Sequence, residues 1–171
     1  MNNNVVLALG SALADQSIVA FMFNFRGVGR SQGQFEGGIG EQEDVIAAVD
    51  WLTTQSEVDR HRLGIAGYSF GAIVALPAAC DDERVKALTL ISPPLEPSQI
   101  SQLKDCAKLK LIICGTEDFL VSLQQAELIN RESAEPKQFE LIAGADHFWW
   151  GYEVAMAQKV TVFFNTSFNR L

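Results

Sequence analysis

Hydrophobic positions along the chain fall into two kinds of segment that alternate. Short, nearly continuous runs of Ile, Val, Leu and Phe occur at residues 18–25, 62–66, 85–91, 110–114 and 138–142. Such runs fit strands that are covered on both faces. Between them lie longer stretches with helical spacing, at 41–55, 72–80, 122–131 and 150–164, and a helix is expected to open the chain over 4–14. The stretch 41–55 places Val45, Ile46, Val49 and Leu52 on one face and carries acids in its first turn, where the helix dipole favours them. Strands separated by helices imply βαβ units, an α/β fold and a mostly parallel sheet with helices on both faces. Residues 92–105, with Pro93, Pro94 and Pro97, read as the nearest thing to a linker.

In such sheets ligands bind beyond the carboxyl ends of the strands, so chemistry is sought where each strand stops. After the run 62–66 the chain reads Gly67-Tyr68-Ser69-Phe70-Gly71, and a helical pattern then begins at Ala72. This is G-x-S-x-G between a strand and a helix. The arrangement holds a serine hydroxyl above the sheet edge in a strained turn. Glycines at 67 and 71 are expected to be required because strand and helix pass too closely for a Cβ. A serine needs a base, and the chain has two histidines. His61 lies before a strand, at the wrong end of the sheet. His147 follows the last strand and is the candidate base. Asp118, after the run 110–114, is the candidate orienting carboxylate, with Glu117 in reserve; Asp146 reads as a loop or capping residue. The backbone N–H of Phe70 is positioned to meet an oxyanion.

The order Ser69, Asp118, His147 resembles that of the α/β-hydrolase superfamily, and more closely that of its small lidless bacterial members related to dienelactone hydrolase. The segment Asn24-Phe25-Arg26-Gly27-Val28-Gly29-Arg30-Ser31 is similar to the D-x-R-G-x-G-x-S turn of many such hydrolases, with Asn24 where an Asp is common. Its arginine is expected to hydrogen-bond nearby carbonyls. The resemblance implies a single α/β-hydrolase domain over 1–171 without a lid domain, since 92–105 leaves no room for one.

The resemblance also implies what is missing. The five runs match the family's fourth to eighth strands, so its N-terminal strands are absent. The third normally lies between the fourth and fifth. Without it, 18–25 and 62–66 must pair directly or leave backbone groups unpaired, at about 1–3 kcal/mol for each buried orphan. A second oxyanion donor normally comes from the loop after that third strand, and only residues 2–4 stand in for it here. The expectation is an N-terminally truncated hydrolase, with Met1 an internal methionine of a longer reading frame. The edge so exposed makes a homodimer or aggregation an expectation too.

Composition narrows the reading. The chain is 48% hydrophobic and 20% charged, with a net charge of −8. No run approaches the ~18 apolar residues of a membrane span, and the acidic balance disfavours nucleic acid. Three cysteines, none in CxxC spacing, together with a start lacking a basic n-region, suggest reduced thiols and a cytoplasmic protein. GxGxxG and Walker spacings are absent, so no cofactor is expected, and no His/Cys cluster suggests a metal. Tyr68, Phe119 and Phe148 are candidate substrate-binding residues, with Phe70, Trp149 and Trp150 nearby. Together these features point to an ester or thioester of a small acyl or aryl group, with lactones and amides open. The rival reading is a non-catalytic binding or interaction protein on the same scaffold.

Overall fold

The computed structural model describes residues 2–170; the expectation about Met1 lies outside the described residues. The elements run α1 (Asn4–Asp15), α2 (Ile39–Thr53), β1 (Leu63–Tyr68), α3 (Phe70–Asp81), β2 (Val85–Ile91), α4 (Pro97–Asp105), β3 (Leu109–Gly115), α5 (Leu123–Glu132), β4 (Lys137–Ile142) and α6 (Glu153–Phe168). The strands form a parallel sheet in the order β1-β2-β3-β4. This is the α/β-hydrolase fold, and each strand ends on the same rim.

Alternation within the strands divides the core in two. Leu88 and Leu90 of β2 and Ile112 of β3 face α3, α4 and α5, packing with Leu76, Leu103 and Ile129. Ala87 and Ile91 of β2 and Leu111 and Ile113 of β3 face α1 and α6, packing with Val5 and Phe163. The β2 and β3 runs are apolar on nearly every position because both faces are covered.

The segment 18–25 departs from expectation, because it is not a strand. Its backbone N–H groups from Val19 to Phe25 make no hydrogen bonds among the described residues. The Ser69 N–H bonds the Ile91 carbonyl on the β2 side. By the strand period, Gly64, Ala66 and Tyr68 therefore turn their backbone groups the other way. On that side lies an apolar groove of about 520 Å³ lined by Leu9, Leu13, Phe21, Phe23, Ile65 and Phe164. Of the two expected outcomes, the chain takes unpaired backbone over direct pairing. It tolerates this because Gly64 and Ala66 are exposed, so solvent can serve their polar groups.

Two further expectations are corrected. Residues 97–105 form α4, not a linker: Pro97 takes the first helical turn, where it loses no helix bond, and the Gln99 side chain accepts the Glu96 N–H at 3.0 Å. The cysteines are not all reduced, because Cys80 at the end of α3 is disulfide-bonded to Cys106 just after α4, with Cα atoms 5.5 Å apart. Cys114 is free and buried. A pairing across 26 residues is set by helix packing and leaves no mark in local spacing. The cysteines thus give no argument for a reducing compartment. Among the described residues, no helix is long and apolar enough to cross a membrane.

Candidate active site

The turn from β1 into α3 holds Ser69 at φ 52° and ψ −119°, a conformation costing on the order of 1–3 kcal/mol for a residue with a side chain. Packing over-determines it. A Cβ at Gly67 would collide with the Gly71 carbonyl and lie 2.7 Å from the Ala72 Cα. Gly71 differs from expectation: a Cβ there would meet nothing within 4 Å, since it borders the groove. The strand–helix contact therefore demands one of the two glycines. In the first turn of α3 the Phe70 N–H has no acceptor among the described residues. It sits at the positive end of the helix dipole, beside Ser69.

The structure brings Ser69, Asp118 and His147 together from the ends of three strands. Ser69 Oγ lies 2.8 Å from His147 Nε2. His147 Nδ1 lies 3.0 Å from each Asp118 carboxylate oxygen. His147 is 3% and Asp118 6% exposed. Asp118 Oδ1 also accepts the N–H groups of Leu120 and Val121, each at 2.9 Å, which fixes the carboxylate before the imidazole reaches it. The alternatives lie elsewhere: His61 is exposed before β1, Glu117 is exposed, and the buried Asp146 Oδ1 has no partner among the described residues.

Tyr68 is part of the scaffold. Its hydroxyl donates to the His147 carbonyl at 2.8 Å. Burial, with the nearby charges of Asp118 and Asp146, pushes its pKa up to about 12, so it stays a donor. On the His147 side Phe119 and Phe148 are 61% and 48% exposed, with their ring centroids 5.4 Å apart. On the other side Phe70 packs against Phe25 and Phe35, at 5.8 and 5.5 Å. Phe35, 66% exposed, was not legible in the sequence because a long loop carries it there. Trp149 is wholly buried and belongs to the core.

The chain's start reaches the same rim but is already engaged. The Asn3 side chain accepts the Val6 N–H and caps α1, while Asn4 Nδ2 donates to the Phe148 carbonyl and to Glu153. Arg26 binds carboxylates and not the expected carbonyls. It meets Glu36, Glu43 and Asp44 at 2.9–3.1 Å and so closes the loop 26–38 onto α2. Loop 26–38 lies among like-charged acids, and carboxylates offer the guanidinium stronger, charge-assisted partners. Among the described residues, no group of three or more His, Cys, Asp or Glu is placed to hold a metal ion.

The model of the X-Pro dipeptidyl-peptidase (S15) family matches residues 5–144. The chain belongs to this family. The fold of the chain is shared by an α/β serine hydrolase homologue from Coxiella burnetii, 33% identical, with a TM-score of 0.86 over 95% of this chain and 76% of that one. A serine hydrolase without a lid from Xanthomonas campestris is 29% identical, with a TM-score of 0.84 over 97% of this chain and 74% of that one. An uncharacterized protein of Rickettsia prowazekii is 36% identical over 157 residues, or 87% of this chain. The chain spans 66% of that protein's length and 56% of a Mycobacterium tuberculosis relative's. These likenesses place it in the α/β-hydrolase superfamily; none of them carries the finer likeness to dienelactone hydrolase.

Proposed function

We propose that the chain hydrolyses a carboxylic ester or thioester of a small acyl or aryl group through an acyl-enzyme on Ser69. The observation that carries this reading is the contact chain Ser69 Oγ–His147 Nε2 at 2.8 Å and His147 Nδ1–Asp118 at 3.0 Å. His147 takes the hydroxyl proton as Ser69 Oγ attacks the carbonyl carbon. The Phe70 N–H meets the oxygen on which negative charge develops. Asp118 stays ionised, holds the proton on Nδ1 and balances the imidazolium. His147 then gives its proton to the leaving alcohol or thiol. A water, deprotonated by the same nitrogen, releases the acid and restores the Ser69 hydroxyl. Phe119, Phe148 and the Tyr68 ring on one side, with Phe35 and Phe70 on the other, form apolar walls suited to a short acyl or aryl group. We read the chain as one domain with an open, lidless site.

The test is labelling by a fluorophosphonate probe, followed by turnover of p-nitrophenyl esters of increasing length. The family's X-Pro dipeptidyl-peptidase description puts an Xaa-Pro anilide in the same panel. Labelling that disappears in Ser69→Ala supports the proposal. A folded chain that neither labels nor turns over any substrate overturns it in favour of a binding protein.

A further inference from the structure

We infer that Ser92 and Trp149 are positioning residues that set the reach of the His147 imidazole toward Ser69. This rests on the acyl-transfer reading and adds to it the device that holds the base. Trp149 Nε1 donates to Ser92 Oγ at 3.0 Å, and both residues are wholly buried. Both also have left-handed backbones, Ser92 at φ 44° and Trp149 at φ 63°. Neither is glycine, the residue that adopts this region without penalty.

The connections of this pair explain why it is placed there. Ser92 follows Ile91, whose carbonyl accepts the Ser69 N–H at 2.9 Å, while its own N–H donates to the Ile113 carbonyl at 2.8 Å. The end of β2 therefore fixes the backbone of Ser69 on one side and the end of β3 on the other. Through the indole it also fixes the loop two residues beyond His147. That loop turns tightly: the Trp149 N–H meets the Asp146 carbonyl, and the Trp149 carbonyl accepts the Tyr152 N–H. His147 is thus referred to the same point of the sheet as the serine it faces. Packing alone would not ask for this pair. A phenyl ring fills apolar space without an N–H to satisfy, and glycine at 92 would relieve the backbone but leave the indole N–H unpaired in the core. Backbone strain kept beside a reactive group and secured by a buried hydrogen bond points to positioning.

The experiment compares Ser92→Gly, Trp149→Phe and the double variant. In Ser92→Gly the relieved backbone offsets part of the cost of the unpaired indole N–H, so the variant is expected to stay folded with a modestly lower thermal midpoint. The rate of inactivation by the fluorophosphonate is expected to fall about tenfold in each single variant and by no more in the double, since both remove the same bond. A wild-type rate in Ser92→Gly, or losses that multiply in the double variant, overturns the inference. The His147 imidazole N–H proton resonance, assigned by its loss in His147→Gln, gives a readout independent of chemistry. It is expected to move in Ser92→Gly, and an unchanged resonance overturns the inference. A wild-type chain that the probe does not label, but whose resonance moves in Ser92→Gly, overturns the acyl-transfer reading and leaves the positioning of His147 standing.

Discussion

The Tyr68 hydroxyl donates to the main-chain carbonyl of His147 at 2.8 Å, tying the residue before Ser69 to the residue that faces it. Tyr68→Phe removes that bond and leaves the ring in place. We expect a stability loss of about 1 kcal/mol, read by urea unfolding, and a severalfold lower kcat on p-nitrophenyl acetate with little change in KM. Because burial pushes the hydroxyl's pKa up to about 12, the ratio of variant to wild-type rate should stay flat across neutral pH. A ratio that varies there would mean the hydroxyl acts in the reaction itself.

Asp118→Asn separates the orienting carboxylate from its neighbours. The amide oxygen can still accept from Leu120 and Val121, but the amide N–H₂ then faces His147 Nδ1 and favours the wrong tautomer. Turnover is expected to fall by up to about 10⁴-fold, while Glu117→Gln leaves it near wild type. The reverse ranking would transfer the role to Glu117.

The two glycines of the turn should behave differently. Gly67→Ala forces a Cβ into the Gly71 carbonyl and is expected to cost several kcal/mol, on the scale of severe backbone disruptions. Gly71→Ala meets open space in the first turn of a helix and is expected to be neutral, or stabilising by up to about 1 kcal/mol. Comparable losses in both variants would contradict this packing.

The loop onto α2 should govern acid stability. Burial works to raise the Asp44 pKa, but hydrogen bonds and charge from Arg26 outweigh it and leave it below 3.8. Burial likewise opposes the shift at Glu41, where N–H groups of Glu36, Glu41 and Gly38 and the Arg26 charge hold it below 4.5. Both titrate lower folded than unfolded. The stabilisation from Asp44 is therefore present above about 3.8 and that from Glu41 above about 4.5, and each is lost as the pH falls through its folded value. Asp44→Asn is expected to lower the thermal midpoint at pH 7 and to flatten its decline in acid. An acid limb parallel to wild type would exclude this source.

What the sequence revealed depended on how local each signal is. Val85–Ile91 reads as a buried strand because every position but Lys86 is covered, and the structure gives the same bounds. Ser69, Asp118 and His147 could be found because each lies in the turn or loop that leaves the end of a strand. Residues 18–25 are similarly apolar but pair with no strand among the described residues, and a strand exists only as a pair. Pro97 looked like a breaker, yet it sits where a helix accepts it. The Cys80–Cys106 bond, the place of Phe35 and the Ser92–Trp149 contact join distant segments through packing, which one-dimensional spacing does not encode.

The groove beside β1 makes Ser69 the tip of a cantilever. Its strand is anchored along a single seam, to β2, and open along the other. Deuterium should therefore enter the amides of 19–25 first and those of β1 next, with β2 and β3 resisting longest. Stiffness at Ser69 is borrowed from the neighbouring strand, so loosening β2 should be felt at Ser69 before the chain unfolds.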